Sequence, residues 1–173
     1  MTLSLYDAFV PSARQIVTAS EALIAKAEAH CAANGADPAG LVNAQLAPDM
    51  ATLPFQAFSV CHHTAGAIAG VRAGVFAPAR PHGEQTLASL KAMLAEAGAS
   101  LAAISPDELE AFMGKPVTFS LGTTIMPFTA ENFLLSFSQP NYYFHAATLY
   151  DIFRYKGVTI GKRDFMGMPR IGV

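Results

Sequence analysis

Asn141 and His145 lie four positions apart in a stretch without charged side chains, and they are the residues here best suited to chemistry. On a helix one turn separates them, so their side chains can meet. Buried polar groups need partners, and His62, Thr64 or Ser20 are the groups that other helices offer. Two readings follow. In one, His145 is a neutral core histidine bonded to Asn141 or to a hydroxyl. In the other, it is a metal ligand or an acid/base. A metal site inside a bundle asks for two histidines one turn apart on one helix and a third elsewhere. Positions 141 and 149 hold Asn and Leu, so the HxxxH pair is absent. His62 and His63 do not replace it, because adjacent helical side chains point about 100° apart.

Other constellations carry less. No G-x-S-x-G elbow, Walker loop or Rossmann glycine pattern occurs. His30 beside Cys31 suggests a Cys/His nucleophile, but neighbours in a helix diverge and a buried thiol is inert. Cys31 and Cys61 have no zinc-ribbon spacing and read as small buried residues in a reducing compartment. The rings Tyr142, Tyr143 and Phe144, with Phe133, Phe137 and Tyr150, surround a whole helix. They read as core plus interface, or as the lining of an apolar pocket.

These residues need elements to position them. Val10, Ala13, Val17, Ser20, Ile24, Ala27 and Cys31 recur at three- and four-residue spacing, which predicts a helix over Phe9 to Ala33 stopped by Asn34-Gly35. Asp37-Pro38 opens a short turn through Leu41. A second helix follows Pro48-Asp49 and runs to Ala73, with Met50, Ala57, Cys61, Ala65 and Ile68 on its core face. His62 falls at the edge of that face and His63 nearly opposite. Gln56, Ser59, His63, Ala67 and Gly70 form an uncharged back, which either this chain or a second subunit must cover. A third helix spans Glu84 to Ala103, and Ser105-Pro106-Asp107-Glu108 is a capping box. Val117 to Leu121, Gly122, and Ile125 to Phe128 predict a β-hairpin. Thr129 then opens a fourth helix to Lys156, kinked at Pro140. Its face of Leu134, Ser138, Asn141, His145, Leu149 and Ile152 is polar only in the middle. The tail from Gly161 to Gly167 reads as extended, pinned by Phe165 or docked on a partner subunit.

The composition fits one domain over residues 1–173. It is 52% hydrophobic and 14% charged with a net charge of -2, which gives no electrostatic reason to bind nucleic acid. Met50–Val71 and Asn132–Tyr150 carry no Lys, Arg, Asp or Glu. Their Pro, His, Gln and Asn are too many polar groups for a membrane span. The start lacks a signal-peptide pattern, so the expected compartment is the cytoplasm.

The segments Leu3-Ser4-Leu5-Tyr6-Asp7-Ala8, Asn43-Ala44 to Met50, Pro140 to His145, Gly157-Val158 and Gly161 to Phe165 resemble a family of unknown function. That family is placed among the DinB/YfiT-like four-helix bundles. The resemblance spans nearly the whole chain, and its most specific part runs from Phe128 to Phe165. It implies an up-down-down-up four-helix bundle, often dimeric; with the hairpin read above placed before the last helix, the expected fold is all-α. Better-known relatives are metal-dependent thiol S-transferases and a thiol-dependent isomerase, with one His on the second helix and HxxxH on the fourth. Carried over, His62 or His63 matches the first ligand and His145 one of the pair; the remaining ligand has no counterpart.

The expectation is therefore an uncharacterised DinB-like bundle, without an intact metal site, that binds a small molecule or a protein partner as a homodimer. Asn141, His145, His62 and Tyr142 are its pocket candidates. No cofactor is called for by the residues themselves. The alternative is a thiol S-transferase-like enzyme with a divalent metal, zinc or nickel, on His145 and His62.

Overall fold

The computed structural model describes residues 3–172. Its first helix, α1 (Leu5–Asn34), starts ahead of Phe9 because Ser4 caps it. The Ser4 hydroxyl accepts the Asp7 N–H at 3.0 Å and donates to the Asp7 carboxylate at 2.8 Å. The predicted stripe from Val10 to Cys31 is buried throughout. Gly35 ends the helix at φ 61°, a conformation costly for any residue with a Cβ.

A short turn, α2 (Ala39–Val42), leads to α3 (Leu53–His62) and α4 (Ala65–Ala73). These two replace the single second helix that periodicity predicts. The break falls at His63–Thr64, where the Thr64 hydroxyl donates to the Val60 carbonyl at 2.6 Å. Such back-bonding competes with the helical ladder and bends it. Strand β1 (Val75–Phe76) follows, then α5 (Leu87–Ala102) and α6 (Pro106–Glu110). Ser105 caps α6, its hydroxyl accepting the Glu108 N–H, but the expected capping box is only half formed because the Glu108 carboxylate accepts from Arg72 instead.

The predicted hairpin is present as β2 (Pro116–Leu121) and β3 (Thr124–Thr129), with Leu121 opposite Thr124. It is not a two-stranded insert, however. β1 joins β2 in parallel, Phe76 opposite Phe119, so the molecule is mostly helical with a three-stranded sheet rather than all-α.

The fourth helical segment comprises α7 (Ala130–Asn132), a π-helical stretch Phe133–Ser138 and α8 (Gln139–Tyr155). Pro140 explains the wide turn. Its ring crowds the carbonyl one turn back and it has no N–H to donate. A π turn moves that carbonyl away, and the Gln139 N–H reaches back to the Leu134 carbonyl. The extra residue shifts the phase, so Tyr142 and Ala146, not Asn141 and His145, occupy the buried centre of α8.

α1 packs against α5 and α8, and α3 packs against the same two helices, around one connected apolar core. The tail is not extended: α9 (Lys162–Met166) lies along α1. Lys26 pairs with Asp164, Gln15 Nε2 donates to the Met166 carbonyl at 2.7 Å, and Phe165 meets Tyr150 edge-on. Phe165 thus pins the tail to its own chain. No helix among the described residues is long and apolar enough to cross a membrane.

Candidate functional site

The break after α3 sets His62 and His63 against Phe76 of the sheet, and α8 brings His145 alongside His63. His62 is held flat between Phe58 and Phe76, at ring-centroid distances of 5.3 and 4.4 Å. Its Nε2–H donates to the Ala77 carbonyl at 2.9 Å. His63 lies nearly parallel to His145, with centroids 6.0 Å apart and planes 13° apart. Phe76 and Phe137 flank His63 at 5.4 and 5.7 Å. Its buried Nδ1 has no hydrogen-bond partner.

His145 comes from α8 and is tied to α3. Its Nδ1 lies 2.8 Å from Gln56 Oε1. The amide is oriented by its other end, where Gln56 Nε2 donates to the Ala51 carbonyl at 2.8 Å. Oε1 can only accept, so Nδ1 of His145 carries the proton and Nε2 keeps a lone pair. Phe55 and Phe144 stand edge-on to the imidazole at 5.8 and 5.3 Å. Phe144 is 57% exposed, and His145 is half-buried, so this ring lies at the rim rather than in the core.

Burial sets the charge state of all three rings. It pushes His63 down to about 3, with the neighbouring His62 and His145 adding to the effect. It pushes His145 down to about 4. His62 is also lowered by burial, against the opposing effect of its bond to Ala77. At neutral pH the cluster is uncharged: three imidazoles among phenyl rings, which resist protonation but can still accept a hydrogen bond.

The structure brings His145 to Gln56 and His63, whereas His62 stacks on Phe58 and Phe76. Asn141 does not meet His145; its Nδ2 donates to the Phe137 carbonyl at 2.7 Å, within its own helical segment. Tyr142 is fully buried against Phe9 and is a core residue. Burial, with the adjacent Tyr143, raises its hydroxyl above the ordinary range. Gln56 and Phe76 are the site residues that sequence reasoning overlooked. Gln56 was a polar residue on a helix back, and only the packing of α3 on α8 shows its role.

The thiols stay apart from this chemistry. Cys61 reaches only the Met93 carbonyl, at 3.6 Å, and burial pushes it up to about 12. Cys31 is buried and also raised, so neither offers a thiolate near neutral pH. The uncharged back of the second helical segment is covered from within the chain: Gln56, Ser59, Ala67 and Gly70 are all buried.

Fold and site together define a helical bundle with a neutral histidine cluster gripped by aromatic rings where α3 meets α8. The family model described as "Domain of unknown function (DUF1993)" matches residues 5–166, and the chain belongs to that family. A crystal structure of a DinB family member protein from Shewanella denitrificans is similar over 98% of this chain and 95% of that one. Its TM-score is 0.79 and its sequence identity 28%. No curated protein matches the chain. The DinB-like resemblance read from the sequence is thereby borne out.

Proposed function

We propose that this protein is a single-domain, up-down-down-up DinB-like bundle that binds a small aromatic or apolar hydrogen-bond donor at His145. The carrying observation is the Gln56–His145 bond. It fixes the imidazole with Nε2 as acceptor, beside the exposed rim of Phe144. The mutual packing of α1, α3, α5 and α8 supports the bundle order. Two unpaired cysteines fit a reducing, cytoplasmic setting.

The metal reading of the wider superfamily fits these residues poorly. No group of three His, Cys, Asp or Glu that could hold a metal ion occurs among the described residues. The Nε2 of His62 is taken by Ala77, and Asn141 turns back to its own helix. One observation favours that second reading: a metal-binding histidine commonly donates its other nitrogen to an oxygen acceptor, as His145 does to Gln56.

The test uses phenol as the probe, followed by NMR of the histidine ring nitrogens. Saturable shifts at His145 and His63, lost in His145→Phe, support binding at this face. Shifts that are absent, or that persist in His145→Phe, overturn it. Zinc and nickel titrations of tag-free protein form the second arm. Stoichiometric uptake abolished by His145→Phe would replace the metal-free reading with the metal-dependent one. The homodimer is part of the proposal. It rests on Leu135, Tyr143 and Phe144, exposed on a stretch without charge, and sedimentation showing only monomers would remove it.

A further inference from the structure

A groove of about 470 Å³ lies where the tail crosses α1, on different elements from the α3–α8 histidine cluster. Four of the chain's 11 basic residues line it: Arg14 and Lys26 from α1, Arg163 and Arg170 from the tail. Asp164 is the one acid in the lining. Its carboxylate is committed twice, to the Lys26 ammonium and to the Gly161 N–H at 2.7 Å. Among the described residues Arg14 and Arg163 make no ion pair. Arg170 has only a hydrogen bond to the Ser12 hydroxyl, at 3.3 Å. Three guanidiniums therefore share one concave surface without a counter-charge, on a chain whose net charge is -2.

This convergence is built by the fold rather than left by a loose end. The Gln15 side chain holds the Met166 carbonyl at 2.7 Å. Gly167 turns at φ 64° so close to α1 that a Cβ there would stand 3.3 Å from the Ala19 Cβ. Like charges gathered in this way repel unless something neutralises them. Beside the charged residues the lining is mixed: Pro11, Ala19, Ala22 and Met168 are apolar, and Gln15 and Thr18 are polar. A planar guanidinium presents paired N–H donors that match phosphate and carboxylate oxygens. The volume falls within the range of small-molecule sites.

We infer that this groove is a binding site for a small organic oxyanion, a phosphate or carboxylate carried on an apolar body. Arg14 and Arg163 clasp the oxyanion, Arg170 closes the end, and the alanine and methionine surface takes the apolar part. The Lys26–Asp164 pair holds the tail in place and is not itself a ligand contact. The site acts independently of the reading proposed for His145, and either can fail alone.

Isothermal titration with phenyl phosphate, benzoate and inorganic phosphate tests the assignment. Saturable binding is expected for phenyl phosphate or benzoate, weaker for inorganic phosphate and weakened by salt. The better of the two tells phosphate from carboxylate. Arg14→Gln and Arg163→Gln should each cost about tenfold in affinity, the loss of one charge-assisted pair. Lys156→Gln, outside the groove, should change nothing. Arg14 is exposed on a long helix, so its variant keeps the fold, as far-ultraviolet circular dichroism will show. No saturable binding at millimolar probe overturns the proposal. So does affinity unchanged in both arginine variants, or a single-stranded oligonucleotide or acidic peptide that binds more tightly than either aromatic probe.

Discussion

Lowering the pH from about 7 to about 5 should destabilise this protein before its carboxylates titrate, because of His63 and His145. Both are held well below their ordinary value of 6.5 in the folded chain, at about 3 and about 4. In the unfolded chain they take up protons near 6.5. The folded state refuses those protons, so stability is complete above 6.5 and falls as the pH drops toward the folded values. At pH 5 a histidine that is protonated only when unfolded costs about 2 kcal/mol. Two such groups together come to about 4 kcal/mol before any screening, and His62, lowered less, acts in the same direction. His145 sits at the rim and solvent screens part of its effect, so the expected loss is about 2–3 kcal/mol. For a domain of this size that moves the urea midpoint down by about 1 M. Urea titrations at the two pH values measure it directly. His63→Leu removes the more deeply buried ring and should remove about half of the drop. A midpoint that does not move between the two pH values, or an equal drop in His63→Leu, would refute the electrostatic account of the cluster.

Gly70 packs against Phe76, where an added Cβ would stand 2.9 Å from the ring. Gly70→Ala should therefore lower stability by about 1–2 kcal/mol, although alanine is the better helix former by about 1 kcal/mol. Thermal melts will show which effect wins. Tyr142→Phe deletes a hydroxyl that is buried without a partner, and should leave stability unchanged or raise it by about 1 kcal/mol. Substantial destabilisation in denaturant titration would reveal a hydrogen bond of real value at that oxygen.

What the sequence made legible was periodic. The α1 stripe, the third helix, the Ser105 cap and the hairpin all follow from local spacing and local turn chemistry. The N-terminal extension of α1 has its own signals, which a start at Phe9 passes over: Ser4 and Asp7 stand three apart as a capping pair, and Leu5 lies one turn before Phe9 on the apolar face. The breaks were not legible. Nothing between Met50 and Ala73 announces that Thr64 will bond Val60, because a threonine in a helix is ordinary and only tertiary packing selects this geometry. β1 is two residues long and exists because β2 offers an edge to Gly74, Val75 and Phe76. The candidate site suffered most. Its key contact joins Gln56 to His145 across 89 positions, and no local pattern couples them. The nearby Asn141 looked like the natural partner and turned instead to a carbonyl near the wide turn.

That wide turn gives the last helical segment two facings. A single additional residue rotates everything upstream of Ser138 by about 100° relative to an unbroken helix. The upstream half sends Phe133 and Phe137 to Phe76 and Phe119 of the sheet, with centroids 5.0 and 4.9 Å apart. The downstream half sends Tyr142 to α1 and His145 to α3. The segment works like a camshaft with two lobes set out of phase, one bearing on the sheet and the other on the bundle. Such an offset lets substitutions in one lobe be tolerated without re-aiming the other. An insertion or deletion within Phe133–Ser138 would instead turn both against their partners at once.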